Sequence, residues 1–306
     1  MTVFLSLFFN LLPLYALIAL GFFAGRKLNV DRHSIGNLAI YLCMPVVVFG
    51  YIASLDFKPE YIIMPIIIYL VSVITGLTFL KIGQKIYHDN QANLMSLCTS
   101  MGNTGYFGLP LVLLFFDKEI VAIYIFMMVG SLMYESTFGY YIAARGQFDV
   151  RQSFIKLAKL PTIYAMAAGF TVNAFDMQLP EMFWEYWTHF KGAYVILGMM
   201  IIGVALSGIK KFEFGPRFIA LVFAGKFGLY VLSALAFIAF DRHYLQWLNE
   251  DMYNLIIFMA ICPPGANIAA FAAQLNMQPE KAATTIMLGT IFALIYIPTV
   301  IWMLNF

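Results

Sequence analysis

Two stretches of this chain put glycine, proline and asparagine where the surrounding residues are almost wholly apolar. The first reads Gly102-Asn103-Thr104-Gly105-Tyr106-Phe107-Gly108-Leu109-Pro110, the second Cys262-Pro263-Pro264-Gly265-Ala266-Asn267. A glycine lowers helix stability by about 1 kcal/mol relative to alanine and a proline by about 3 kcal/mol. Proline also leaves a carbonyl without its donor. Both stretches therefore predict a helix that comes apart. A half-helix that resumes after a break presents unpaired N–H groups and a partial positive charge, which suits a carboxylate. Asn103, Thr104 and Asn267 add side-chain donors and acceptors there, while Gly105, Gly108, Pro110, Pro263, Pro264 and Gly265 shape the exposed backbone. For one break, a kink serving only close packing is the plainer reading. A matched pair favours binding.

Two ionisable residues, Glu135 and Lys226, also lie inside apolar runs. A charge at the centre of a membrane helix costs roughly 2.5–3.5 kcal/mol on insertion scales, so it faces a partner or a watery path. Lys226 could counter a substrate carboxylate, and Glu135 could carry a coupling proton, since a carboxylate with a raised pKa changes charge near neutrality. The alternative is that the two pair with each other and hold their helices together. Both readings stand at this level.

Other chemistry has little support. Gly102, Gly105 and Gly108 lack the Gly-Lys-Ser/Thr ending of a phosphate loop. His33, His88, His189 and His243 fall in four separate loops without ligand spacing, and no serine has a nucleophile-elbow context. No metal, cofactor or catalytic centre is expected, and the chain is not expected to be an enzyme. Cys43, Cys98 and Cys262 sit in apolar runs as packing residues. A net charge of +2 without a basic stripe argues against nucleic acid as a partner.

The elements that must position these residues are membrane helices. The 306 residues are 62% hydrophobic and 11% charged, with a mean hydropathy of +0.83, where a soluble domain carries about 25% charged residues. A span needs about 20 mostly apolar residues. That rule gives ten, at 3–25, 34–53, 60–81, 92–115, 119–144, 160–176, 191–209, 214–240, 251–274 and 281–304. The first is too long for the apolar region of a signal peptide and reads as a transmembrane helix. Loops after the odd-numbered spans hold 13 Lys and Arg residues and the alternate loops hold 4, which predicts both termini outside the cytoplasm.

Pro13, Ala19, Gly21 and Phe22 in the first span match Pro161, Ala167, Gly169 and Phe170 in the sixth at a constant offset of 148. An offset near half the chain predicts two five-helix repeats, 1–144 and 160–306, joined by a linker at 145–159. An odd number of spans in each half inverts the second repeat relative to the first, and the interrupted spans four and nine occupy corresponding places in it.

Three motifs then resemble the auxin efflux carrier family of the bile/arsenite/riboflavin transporter superfamily. They are Asn37-x3-Tyr41-x3-Pro45-x3-Phe49, Asn103-Thr104-x3-Gly108-x-Pro110, and the run from Pro264-Gly265 through Phe271-Ala272 to Asn276, Pro279 and Pro298. The resemblance implies an all-α membrane protein whose spans four and nine unwind and cross at a substrate site, between a scaffold and a mobile transport domain. It implies a secondary transporter of small carboxylates such as malonate, malate or auxin-like acids, elevator-like and homodimeric; the sequence leaves open whether a proton, a sodium ion or the membrane potential alone drives it. Asn103 and Pro110 take the family's crossover positions in span four. In span nine the plant crossover proline falls near Ile268, while this chain has Pro263 and Pro264 earlier. The short linker at 145–159 matches a bacterial member of the inner membrane. A receptor or channel of the same fold is the alternative, and saturable counterflow would separate a carrier from either.

Overall fold

The computed structural model describes residues 2–143, 160–209, 212–275 and 277–304. The expected linker at 145–159, Asn276, Lys210 and Lys211 lie outside them. The helices in chain order are α1 (Thr2–Lys27), α2 (Arg32–Asn37), α3 (Met44–Ala53), α4 (Ile63–Ile86), α5 (Gln91–Ser100), α6 (Leu109–Phe115), α7 (Lys118–Tyr134) and α8 (Tyr140–Ala143). They continue with α9 (Pro161–Ala174), α10 (Glu181–Ser207), α11 (Pro216–Phe223), α12 (Tyr230–Phe240), α13 (Glu250–Ala260), α14 (Asn267–Gln274) and α15 (Pro279–Met303). Among the described residues there are five π-helical segments, Leu38–Cys43, Thr104–Gly108, Glu135–Gly139, Ala224–Leu229 and Asp241–Leu245.

Local chemistry sets many of the helix starts. Pro161, Pro216 and Pro279 each occupy the first turn of a helix, where the missing N–H has no intrahelical acceptor to lose. Asp31 accepts the Ser34 N–H at 2.8 Å to cap α2. Asn249 accepts that of Met252 at 3.0 Å to cap α13.

Seven helical stretches among the described residues are long and apolar enough to cross a membrane. The other three expected spans are short or interrupted: α9 has 14 residues, and irregular backbone at 101–103 and 261–266 splits the fourth and ninth. Helix α10, which covers the seventh expected span, begins at Glu181, ten residues before the expected boundary at 191. Its first turns carry Glu181, Glu185, Trp184 and Trp187, which an apolar window passes over although their propensity is helical. Along α4 the chain exposes Ile66, Leu70, Ile74 and Leu77 on one stripe, while Ile67, Ile68, Val71 and Phe79 are buried on the other side. A helix apolar on both faces has a protein side and a lipid side. The fold is an all-α polytopic membrane protein.

Helix α1 runs along α10, and α9 packs on α3. In the first contact Gly21 lies against the Met200 backbone and Gly203 against Ile18 and Phe22, so close that a Cβ on either glycine would collide with backbone atoms. In the second, Gly169 meets Ile52 and the backbone of Phe49 and Ala53. Asn173 Nδ2 donates there to the carbonyl of Leu55 at 2.6 Å.

Candidate functional site

Both interrupted helices come apart within the stretches marked by their glycines and prolines, and the two breaks meet. Asn103 N–H donates to the Pro263 carbonyl at 2.8 Å, and Gly265 N–H donates to the Met101 carbonyl at 2.9 Å. These bonds flank an isolated antiparallel bridge between Gly102 and Pro264. Backbone groups freed by unwinding are thus partly satisfied by the other break, as a low-dielectric interior requires. Past the crossing each chain resumes as a helix, one from Thr104 through Phe115 and the other as α14. Helix geometry leaves the first N–H groups of each without intrahelical acceptors, Thr104 and Gly105 in one and Ala266 and Asn267 in the other.

A cavity of about 460 Å³ opens at this crossing. Its walls are largely apolar, with Met44, Val48, Met128 and Met166 among them, and the crossing contributes polar groups to it. Asn103 is 4% exposed and its Nδ2 has no hydrogen-bond partner among the described residues. An unsatisfied buried amide costs about 1–3 kcal/mol, and this one lines the cavity, where a ligand could accept from it. Thr104, Gly105, Gly265 and Asn267 line it too, as does Glu135, among the described residues the only formally charged one in the wall. Asn267 Nδ2 donates to both carboxylate oxygens of Glu135, at 3.0 and 3.3 Å.

Other residues singled out in the sequence take different places. Pro263 and Pro264 hold the crossing through backbone pairing and do not line the cavity. Gly108 lies under Tyr124 and Cys262, where a side chain would not fit, and Pro110 is buried in the first turn of α6. Lys226 also lies off the cavity wall. Its side chain is wholly buried, and its Nζ sits 3.8 Å from the centre of the Tyr230 ring. It forms no ion pair with Glu135 among the described residues.

Several contributors carry no sequence signal. Tyr124 Oη donates to the Thr104 carbonyl at 3.1 Å, Tyr134 Oη donates to Ser100 Oγ at 2.7 Å, and Ser72 and Tyr230 hydroxyls meet at 3.0 Å. These tyrosines stand among many other aromatics in apolar runs. The π-helical segments offer a clue only in three dimensions, because those at Leu38–Cys43, Thr104–Gly108 and Glu135–Gly139 all supply cavity residues and such segments mark functional sites often.

The cavity has room for a small molecule. The comparisons with known proteins agree. A family model described as a membrane transport protein matches residues 6–303. The chain is 24% identical over 300 residues to an uncharacterized transporter of Methanocaldococcus jannaschii, an alignment covering 94% of this chain and 96% of the relative. The chain belongs to the membrane transport protein family, the family of auxin efflux carriers, and is a membrane transporter with a small-molecule substrate rather than an enzyme.

Proposed function

We propose that this chain is a secondary transporter of small organic anions, carboxylates, working by alternating access with an elevator-like movement. The observation that carries the reading is the buried Asn103 amide, unpartnered among the described residues and set in the cavity wall at the start of the half-helix that runs from Thr104. Amide donors and a helix N-terminus together favour a carboxylate oxygen. The mostly apolar remainder of the wall would take the organic body.

The two halves are proposed to be inverted repeats, 1–144 and 160–306. The matched glycines of the first and sixth spans support this, because Gly21 meets the helix of span seven and Gly169 the helix of span two. Each repeat thus lays its first helix on the second helix of the other. In this reading the four packed helices α1, α3, α9 and α10 form the scaffold of a homodimer, and the crossing moves against them. Both termini face away from the cytoplasm across a bacterial inner membrane.

Glu135 sets the coupling. Among the described residues its carboxylate is the one formal charge on the wall, so an anion arriving beside it while it is ionised meets like charge in a low-dielectric site. Binding of a proton with the anion removes that repulsion and makes the cycle a proton symport.

Purified protein in proteoliposomes tests the reading. Saturable uptake of a labelled carboxylate, accelerated by the same unlabelled acid on the opposite side, is expected, with uptake reduced in Asn103→Ala. Linear flux without counterflow would indicate a channel, and ligand binding without flux a receptor.

A further inference from the structure

Tyr194 lines the cavity from α10, one of the four helices assigned to the scaffold. Its side chain is 1% exposed, and among the described residues no hydrogen bond engages its hydroxyl. Three tyrosines around the crossing differ from it: Tyr124, Tyr134 and Tyr230 each spend a hydroxyl on a neighbour. A buried tyrosine hydroxyl ordinarily finds a partner, because without one it forfeits the hydrogen bonds it had in water. The Tyr194 hydroxyl lies 3.5 Å from the point where Gly105 would carry a Cβ. Gly105 is the second residue of the half-helix that begins at Thr104, where backbone N–H groups lack intrahelical acceptors. Asn103, with its own unpartnered Nδ2, immediately precedes that helix. Donors from the crossing and from the scaffold thus border the same stretch of the cavity.

The reach of the cavity identifies the state. Its wall includes Tyr140, Leu160 and Thr162, which flank the segment 145–159. Among the described residues it includes none from the opposite helix ends at 54–60, 116–119, 176–186 or 241–250. Access to the crossing is therefore from the linker end.

We propose that Tyr194 is a further substrate-binding residue, whose hydroxyl donates to the bound carboxylate from the scaffold, beside the Asn103 amide, in the state open toward the linker. When the crossing moves against the scaffold, Gly105 leaves Tyr194 and this bond is lost. Tyr194 thus sets affinity on one side of the membrane only. The inference rests on the carboxylate reading and on that movement.

Purified Tyr194→Phe and Gly105→Ala are compared with the wild type for binding of malonate and of indole-3-acetate, and for thermal unfolding without ligand. Half-saturation of uptake is then measured from each side, in right-side-out and inside-out vesicles. Tyr194→Phe should melt with the wild type, since the lost hydroxyl has no protein partner, and should bind the carboxylate about ten-fold more weakly. Half-saturation should rise by a similar factor from the linker side and hardly change from the other. Gly105→Ala puts a methyl in ordinary contact with the hydroxyl. It should melt with the wild type or above it, alanine being the better helix former, and bind more weakly. If Tyr194→Phe cannot be purified, Gly105→Ala decides, weakened binding supporting the inference and unchanged binding overturning it. A wild type that binds either acid while Tyr194→Phe binds it equally well overturns the inference and leaves the carboxylate reading standing, and so does an equal loss from both sides. A wild type that binds neither acid overturns the carboxylate reading and the inference with it.

Discussion

Replacing Asn103 with alanine separates a binding residue from a structural one, because the two roles predict opposite effects on stability. The backbone of Asn103 is already fully engaged: its N–H donates to Pro263, and its carbonyl accepts from Phe107 at 3.3 Å and Gly108 at 2.9 Å. Alanine keeps all of these. The side chain contributes a buried Nδ2 without an acceptor, which in the empty state costs about 1–3 kcal/mol. Removing it should leave the melting temperature in detergent unchanged or slightly raised, despite the loss of a few van der Waals contacts. Binding should move the other way. A hydrogen bond to a charged acceptor is worth about 1.5–3 kcal/mol, so apparent affinity should fall roughly ten- to 150-fold. Uptake by proteoliposomes over a range of concentrations, paired with thermal unfolding of the same preparation, measures both numbers. A melting temperature several degrees lower together with unchanged affinity would refute the reasoning and make Asn103 a structural residue of the crossing.

Wild-type uptake of a monocarboxylate should rise as the pH on the uptake side falls, because the protonated form of Glu135 admits the anion. Glu135→Gln, permanently neutral, should bind the anion at all pH values and lose proton accumulation, which a pH-sensitive dye inside the vesicles would read. Gly203→Val should destabilise the protein by about 1–3 kcal/mol or more through overpacking, since its side chain would meet the Ile18 carbonyl and the Phe22 backbone; a variant melting with the wild type would show that α1 and α10 are not held this closely. Tyr124→Phe removes the donor to the Thr104 carbonyl and should cost about 1 kcal/mol of stability, with a smaller effect on affinity than Asn103→Ala.

Much of this could be read from the sequence, and the limits of that reading have a definite cause. The breaks were legible because helix propensity is local: several glycines and prolines in an apolar run weaken a helix, although Gly105, Gly108 and Pro110 are accommodated within the helix Thr104–Phe115 and the chain is irregular only at 101–103. The lipid-crossing character was legible because composition is global. What the breaks do to each other was not. Pro263 and Pro264 look like site residues by type, but a proline has no N–H to offer a ligand, and Pro263 spends its carbonyl on Asn103 N–H. The residue that lines the cavity in their place, Ala266, has nothing in its side chain to draw attention.

The two buried charges show the same limit more sharply. Lys226 lies within the π-helical segment Ala224–Leu229 and Glu135 opens the segment Glu135–Gly139. A π turn inserts a residue into the i→i+4 ladder, so whatever follows it is rotated by about 100° relative to the continuing 3.6-residue wheel. A helical wheel drawn through either segment assigns the wrong face to one end of the helix. Pairing Lys226 with Glu135 was therefore reasonable from type and depth. Instead, Glu135 meets Asn267 across the cavity, while Lys226 meets the crossing from the side of Gly102 and Cys262. One carboxylate and one ammonium thus stand near the same crossing without neutralising each other. If the two bonded directly, Glu135 could not exchange a proton without disrupting the pair. In the proposed proton symport, this separation would let the carboxylate on the cavity wall change charge without disturbing Lys226.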